Sequence, residues 1–191
     1  MDYEVNGETL ADEALINLTL NQDRNYYRYI VSRYTEKLSR YVRRITFLDE
    51  DDIKDVIQTT FIKAYTNLND FDTTLSFSSW IYRIAHNETI SFLRKNKREV
   101  ILQTNDEDDT NVFENIPDQT NLEVEFDIKI NQDNIQRILT TIDKDYREVL
   151  ILRFFEEKSY QEISDILKKP LGTISTMIYR AKKQFLEHMK K

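Results

Sequence analysis

The side chains best suited to contact another molecule are hydroxyl and basic residues in one C-terminal segment, SYQEISDILKKPLGTISTMIYRAKK, residues 159–183. Ser159 and Glu162 have the spacing of a capping box, which predicts the start of a helix. The stretch from Lys168 to Gly172 contains a proline and a glycine, which favour a turn. A second helix is expected to start near Thr173. Two short helices joined by a tight turn are typical of a helix-turn-helix, whose second helix enters the DNA major groove.

The second helix of this segment has an apolar side and a polar side. The apolar side carries Ile174, Ile178, Ala181 and Phe185. The residues that we predict to contact DNA are Thr173, Ser175, Thr176, Tyr179, Arg180 and Lys183. Arg180 and Lys183 suit phosphate groups, whereas Ser175 and Thr176 lie nearer the helix N-terminus, where base edges are reached. A helical hairpin with a merely solvated charged face is the alternative interpretation.

The composition argues against an enzyme. The chain has no cysteine, two histidines and two glycines, which leaves no thiolate nucleophile, thiolate–metal site or glycine-rich phosphate loop. His86 and His188 have no evident catalytic partner in the sequence. We therefore expect no catalytic residue, no metal site and no cofactor.

The scarcity of turn-forming residues predicts the fold class. Two glycines and two prolines in 191 residues are too few for a sheet-rich fold, which indicates an all-α chain. The N-terminus lacks the basic and apolar pattern of a signal peptide. No stretch reaches the roughly 18 apolar residues of a membrane span. We therefore expect a cytoplasmic protein without membrane insertion.

The distribution of charge divides the chain into two domains and a tether. Residues 99–127 hold ten acidic and no basic side chains, whereas residues 128–191 carry a net charge of +4, within a total of −7. Local charge governs binding to phosphate more than the total does. We predict a small N-terminal helical domain at 1–95, an acidic flexible linker at 96–127 and a small C-terminal helix-turn-helix domain at 128–191. A solvated tether without a specific role is an equally good interpretation of the linker.

Three helices are predicted in the N-terminal domain. Residues 25–47 are amphipathic and rich in basic and aromatic side chains, and residues 49–68 form a second amphipathic helix. The third helix covers residues 77–95 and ends in the basic Arg94 and Lys95. Positive charge suits a helix C-terminus, and it also suits a phosphate-binding patch.

Two segments, in this order and spacing, resemble bacterial RNA polymerase sigma factors of the extracytoplasmic-function (ECF) type, in the sigma-70 family. DVIQTTFIKAYTNLNDFD, residues 55–72, and FSSWIYRIAHNETISFLRK, residues 77–95, resemble the second sigma domain. YREVLILRFFEEKSYQEISDILKKPLGTISTMIYRAKKQFL, residues 146–186, resembles the fourth. The resemblance covers about residues 10–190. It implies a non-enzymatic sigma factor that binds core RNA polymerase, recognises the −35 and −10 promoter elements and promotes local DNA melting for transcription initiation.

The resemblance also implies roles for matched positions. Binding to core polymerase, through the clamp helices of its largest subunit, is implied for Asp52, Asp55, Gln58 and Thr59. Binding to −10 DNA, including capture of a flipped base by the loop near Asn67 to Ser76, is implied for Asn67, Phe71, Asp72, Ser79, Trp80, Arg83, Asn87, Arg94 and Lys95. Binding to −35 DNA is implied for Thr173, Ser175, Thr176, Tyr179, Arg180 and Lys183. Trp80 could stack on bases, although its apolar position favours a place in the core.

The sequence departs from the family pattern in two motifs. The acid that usually follows the glutamine of the core-binding motif is Thr59 here. The usual G-T-V-K-S-R reads G-T-I-S-T-M at residues 172–177, so that Ser175 and Met177 replace two cations. We expect a weaker attraction to phosphate, and we expect Met177, which flanks the apolar stripe, to join the core.

The expected partners are core RNA polymerase, including its flap, and promoter DNA. Many members of the family are also held inactive by an anti-sigma factor. We interpret the acidic linker as a nucleic-acid mimic in a basic polymerase channel. The alternative function is an ordinary DNA-binding regulator with an N-terminal interaction domain, which would leave residues 55–95 without a specific role.

Overall fold

The chain folds into two bundles of α-helices. The computed structural model describes residues 7–46, 48–72, 75–101 and 132–189, with the backbone alone at 97–101 and 132–136. The helices are α1 (Asp12–Asn21), α2 (Tyr27–Ile45), α3 (Glu50–Thr66), α4 (Phe77–Ile101), α5 (Gln132–Thr141), α6 (Lys144–Leu150), α7 (Tyr160–Leu167) and α8 (Leu171–Met189). These ranges contain no β-strand, and the all-α prediction is confirmed. No helix among the described residues is both long and apolar enough to cross a membrane.

The N-terminal bundle consists of α2, α3 and α4, with α1 packed beside them. Apolar side chains at helical spacing face inward because burial of such a stripe drives helix packing. The buried residues that these three helices share as a core include Ile30, Leu38, Val42, Ile53, Ile57, Phe77, Ile81 and Ala85. The predicted helices at 25–47 and 49–68 correspond to α2 and α3, with short 3₁₀ turns at Arg24–Tyr26 and Leu68–Asp70.

Polar contacts hold α1, a helix that the sequence analysis did not assign, against α2. Arg33 donates to Asp12 Oδ1 at 2.5 Å and to the carbonyl oxygen of Leu10 at 2.8 Å. The Tyr34 hydroxyl donates to the other carboxylate oxygen of Asp12 at 2.5 Å. Hydrogen bonds to an ionised partner are stronger than neutral ones, so that Asp12 fixes the start of α1.

The C-terminal bundle contains the predicted helix-turn-helix as α7 and α8. Ser159 Oγ accepts from the Glu162 N–H at 3.2 Å, and the Glu162 carboxylate accepts from the Ser159 N–H at 2.9 Å. The capping box is therefore confirmed. The predicted inner stripe of α8 is also confirmed, since Ile174, Ile178, Ala181 and Phe185 are buried.

The turn between α7 and α8 is made differently from the sequence prediction. Lys168 ends α7 in the left-handed conformation, with φ of 54°, while Gly172 has no positive φ and lies in the first turn of α8. The helix begins at Leu171, two residues before the predicted start. Ser164 Oγ donates to the carbonyl oxygen of Lys169 at 2.6 Å, which satisfies a backbone group that the turn leaves without a helical partner. The expectation that Gly172 forms the turn was therefore wrong.

The end of α4 also differs from the prediction. The helix continues to Ile101, six residues beyond the predicted end at Lys95. Most of the predicted acidic linker at 96–127 lies outside the described residues. The proposed domain boundaries stay predictions.

We predict that Ser159→Ala lowers the stability of the C-terminal bundle by about 1 kcal/mol, because it removes the cap that satisfies free N–H groups of α7. Thermal unfolding followed by circular dichroism measures this loss. The matched control is Ser175→Ala, because Ser175 is exposed on α8 and caps no helix. Equal midpoints for the two variants would contradict the structural role of the capping box.

Candidate functional site

The outer face of α3 carries a group of polar residues. The predicted polymerase-binding residues lie there: Asp55, Gln58 and Thr59 are exposed, and Asp52 is half-buried. Asp51 forms an ion pair with Lys54 at 2.7 Å, whereas Asp55 makes no ion pair or hydrogen bond within the part of the chain that the structure describes. Partial desolvation, and then the nearby carboxylates of Asp49 and Asp55, raise the pKa of Asp52 from its usual value. The face therefore concentrates negative charge that this bundle does not neutralise.

Apolar side chains continue the same face of α3. Ile62, three residues after Thr59, is 57% exposed, and Tyr65 is 37% exposed beside the ring of Tyr27, at 5.0 Å between centroids. Acidic and apolar groups on one surface suit a protein partner with basic and apolar groups. They do not suit nucleic acid, because its phosphates would be repelled.

An aromatic cluster encloses the residue that was a candidate for base stacking. The ring of Trp80 lies 5.3 Å from that of Phe71 and 5.5 Å from that of Phe77, between centroids. Trp80 is 8% exposed and Phe71 is 7% exposed. In this conformation Trp80 belongs to the core and offers no open face to a base.

Two other residues of the predicted −10 group make structural contacts or are enclosed. Asn67 donates through its amide nitrogen to the carbonyl oxygen of Lys63 at 2.7 Å, at the end of α3. Ser79 is 4% exposed, and its Oγ has no hydrogen-bond partner among the described residues. Their roles in DNA binding stay predictions.

The remaining residues of the −10 group are accessible. Asp72, Asn87, Arg94 and Lys95 are exposed, and Arg83 is half-buried. Arg83, Asn87 and Arg94 follow one another at intervals of four and seven residues, which places them on one side of α4. This polar stripe could bind a strand of DNA along the helix.

The polar side of α8 offers a second surface for nucleic acid. Ser175, Tyr179 and Lys183 are exposed, whereas Thr173, Thr176 and Arg180 are half-buried. Thr176 Oγ donates to the carbonyl oxygen of Gly172 at 3.0 Å, and an Arg180 nitrogen lies 3.5 Å from the Tyr146 hydroxyl. Met177 is only 6% exposed, which confirms that it joins the core. Of the two positions of α8 where a cation of the family pattern is replaced, only Ser175 therefore changes the exposed surface.

A third surface, which the sequence analysis missed, lies between the two bundles. We call it the polar interface. On the N-terminal side it consists of Tyr41 and Arg44 from α2 and of Ser78, Tyr82 and His86 from α4. On the C-terminal side it consists of Glu148 from α6 and of Phe155, Glu156 and Lys158, which precede α7. Ser78, Tyr82 and His86 repeat every four residues and share one side of α4.

Glu148 is bound at one end of the polar interface. Its Oε1 accepts from the Tyr41 hydroxyl and lies 2.6 Å from His86 Nδ1. Burial raises the pKa of Tyr41 well above its usual value, with the Glu148 carboxylate as the next cause, so that the hydroxyl keeps its proton and donates. The sequence showed no evident partner for His86, and the structure places it beside Glu148, which lies 62 residues further along the chain.

Glu156 is bound in the same way nearby. An Arg44 nitrogen donates to Glu156 Oε1 at 3.0 Å, and the Tyr82 hydroxyl donates to Oε2 at 2.7 Å. The Glu156 side chain is only 3% exposed. The Arg44 guanidinium also lies 4.6 Å from the centre of the Phe155 ring, an attractive cation–π distance.

Lys158 makes the reciprocal contact from the C-terminal bundle. Its ammonium donates to Ser78 Oγ at 2.6 Å and lies 4.6 Å from the centre of the Tyr82 ring. Burial lowers the pKa of Lys158 from its usual value, an effect that Glu162 and Glu156 partly oppose. The polar interface therefore pairs each buried charge with a group of the other bundle. Glu148 and Glu156 flank the run from Val149 to Phe155, which is apolar except for Arg153, and this is the sequence signal that could have indicated buried acids.

Comparison with known proteins gives the family. The Sigma-70 region 2 model matches residues 30–99, and the Sigma-70 region 4 model matches residues 132–185. The chain therefore belongs to the sigma-70 family of RNA polymerase sigma factors. The ECF RNA polymerase sigma-E factor of Haemophilus influenzae is 31% identical over 92% of this chain and 93% of its own length. The ECF sigma factor SigW of Bacillus subtilis is 31% identical over 88% and 91%.

These relatives identify the ECF type, and solved structures share the fold. The sigma factor RpoE of Bartonella quintana, solved with the anti-sigma factor NepR, has a TM-score of 0.66 at 22% identity and covers 86% of this chain and 96% of its own. CnrH, solved with the cytosolic domain of CnrY, has a TM-score of 0.67 at 20% identity and covers 94% and 97%. The chain is thus a transcription initiation factor of the ECF type and not an enzyme.

We predict that the fluorescence of Trp80, the one tryptophan of the chain, is shielded from iodide in the free protein because Phe71 and Phe77 enclose the ring. Phe71→Ala should increase iodide quenching and lower the unfolding free energy by about 3–5 kcal/mol, as for other large core truncations. Tyr179→Ala, at an exposed position of α8, is the control and should change neither quantity. Quenching of the wild type as strong as that of free tryptophan would contradict the aromatic cluster.

Proposed function

We propose that the chain binds core RNA polymerase through the outer face of α3, recognises the −10 and −35 promoter elements with α4 and α8, and promotes local melting of the DNA. The observation that carries this proposal is the exposed, unneutralised Asp55 beside Gln58, on a helix inside the matched region 2. Such a face fits a basic groove on a partner protein. A regulator of the ordinary helix-turn-helix class has no need of it.

The −10 element would be contacted by the polar stripe of α4. Arg83 and Arg94 supply positive charge, and Asn87 between them offers both a donor and an acceptor to a base. Extraction of a base from the duplex costs a few kcal/mol, which contacts to the separated strand must offset. The loop at 67–76 precedes this stripe in the chain, in the position where the resemblance implies base capture.

The −35 element would be read by α8. Lys183 and Arg180 would bind phosphate, while Ser175, Thr176 and Tyr179 would contact base edges in the major groove. Because Ser175 stands where relatives carry a cation, this chain should depend less on phosphate attraction and more on close contacts with bases.

An anti-sigma factor is a further proposed partner. RpoE of Bartonella quintana and CnrH were both solved with a regulatory partner, and this chain shares their fold.

A subunit of the bacterial polymerase acts where the chromosome lies, so that we place the chain in the cytoplasm.

We predict that Asp55→Ala/Gln58→Ala weakens binding to purified core RNA polymerase of the source bacterium at least tenfold, because the change removes a charge and a hydrogen-bonding amide from the centre of the face. Pull-down and surface plasmon resonance with the full chain measure the effect.

The matched control for this pair is Glu13→Ala/Gln22→Ala, which removes one carboxylate and one amide from exposed positions, the first in α1 and the second directly after it. It should bind core as the wild type does. Failure of the wild type to bind core, together with binding of a dimer to duplex DNA, would favour the regulator instead.

We predict that phosphate contacts of α8 can be counted from the salt dependence of duplex binding. The slope of log K against log salt is negative, and one phosphate contact contributes about 0.9 to its magnitude. Lys183→Ala should therefore make the slope shallower by about 0.9, and Ser175→Lys should make it steeper by about the same amount. Fluorescence anisotropy of a labelled duplex across a salt series gives the slopes. Lys54→Ala on α3 is the control, and a loss of slope there equal to that of Lys183→Ala would contradict the assignment.

A further inference from the structure

The first half of α8 lacks the side chains that usually identify a base pair. Residues 171–179 read LGTISTMIY, without a charged residue and without asparagine or glutamine. In the major groove, guanine is read by arginine or lysine, adenine by asparagine or glutamine, and cytosine by aspartate or glutamate. The N-terminal part of a recognition helix is the part that reaches base edges. Guanine, adenine and cytosine therefore have no such partner in this part of α8.

Exposed apolar side chains stand there instead. Leu171 is 46% exposed and Tyr179 is 57% exposed, and the exposed Ser175 lies midway between them. Residues at intervals of four share one side of a helix, so that these three form one row, which we call the α8 ridge. Neither of the two large side chains is buried by the part of the chain that the structure describes, although their burial in an apolar contact would be favourable.

The polar groups beside the α8 ridge discriminate poorly between bases. Serine and threonine hydroxyls bond to any of several bases, and the Thr176 hydroxyl already donates its proton to the carbonyl oxygen of Gly172 at 3.0 Å. Arg180, the first cation of α8, is half-buried, and one of its nitrogens lies 3.5 Å from the Tyr146 hydroxyl of α6. The groups of this surface that can distinguish one base from the others are therefore apolar.

We propose that the α8 ridge recognises thymine through its 5-methyl group, so that the positions of thymines define the upstream promoter element of this chain. Thymine presents a methyl group in the major groove, and the protein group that contacts it is apolar. The inference rests on the proposed function, because it takes α8 as the helix that enters the groove. From Leu171 to Tyr179 the ridge is about 12 Å long, which is the length of three to four base pairs.

The test compares thymine with deoxyuridine, which differs only in the absence of the 5-methyl group. The holoenzyme, assembled from the full chain and core RNA polymerase of the source bacterium, first selects duplexes from a randomised library. Each thymine of the selected upstream element is then replaced in turn, and fluorescence anisotropy gives the ratio of the affinities for the thymine and the uracil duplex. We expect a ratio of about four at one or more positions, which is the value of one buried methyl group.

Variants of the α8 ridge show which side chains contact the methyl groups. Leu171→Ala and Tyr179→Ala should each bring the ratio close to one at the position that the side chain contacts, whereas a purely structural loss would weaken both duplexes equally. Tyr179→Phe keeps the ring and should keep the ratio.

The matched control is Leu186→Ala, because Leu186 is an exposed leucine of the same helix, at 39%, about 22 Å beyond Leu171. This control should keep the wild-type ratio. A ratio that both alanine variants of the ridge retain would overturn the role of the ridge.

The outcomes separate this inference from the proposed function. Holoenzyme that binds thymine and uracil duplexes equally, or that selects an element defined by guanines, would overturn methyl recognition and leave the proposed function standing. Failure of the chain to bind core, with methyl-dependent binding of a selected duplex by the full chain alone, would do the reverse. If neither the holoenzyme nor the full chain selects a duplex, both are overturned.

Discussion

The structure depends on one constraint: α4 must face the N-terminal core, the C-terminal bundle and solvent at the same time. Phe77, Ile81 and Ala85 face the N-terminal core, Tyr82 and its neighbours along the helix face the C-terminal bundle, and Asn87 faces solvent. An α-helix has room for three such stripes only if each repeats at intervals of three or four residues. A shift of one residue would turn the polar groups of the interface towards the core. The register of α4 therefore fixes the core, the interface and the candidate DNA surface together.

The surfaces differ in charge according to what each would contact. The outer face of α3 is acidic and partly apolar, which suits protein, whereas the exposed ends of α4 and α8 carry Arg94 and Lys183, which suit phosphate. A net charge of −7 is compatible with DNA binding because charges beyond the Debye length of about 10 Å are largely screened. The sign of the local surface then decides which molecule approaches each bundle.

Periodic patterns predicted most of the helices, because burial of an apolar stripe is a local property of the sequence. The capping box at Ser159 was predicted for the same reason, since its two residues lie three apart. The partner of His86 could not be predicted, because the pair with Glu148 is made by packing between bundles and leaves no periodic signal. The role of Lys168 in the turn was not predicted, because lysine rarely adopts the left-handed conformation and glycine is the residue expected at such a position. Among the site residues, exposure of Asp55 followed from helix periodicity, whereas burial of Ser79 depends on what packs beside α4.

The two buried glutamates are difficult to explain as devices for stability. Removal of a charge from water costs several kcal/mol, and well-packed apolar residues in place of a buried ion pair are often as stable or more so. A buried pair does, however, select one arrangement, because any other packing of the bundles would leave Glu148 and Glu156 without donors. The same groups are readily solvated when they separate, whereas apolar replacements would resist separation by their full burial energy. The paired charges therefore fix the orientation in which the two bundles meet more strictly than a larger apolar contact would.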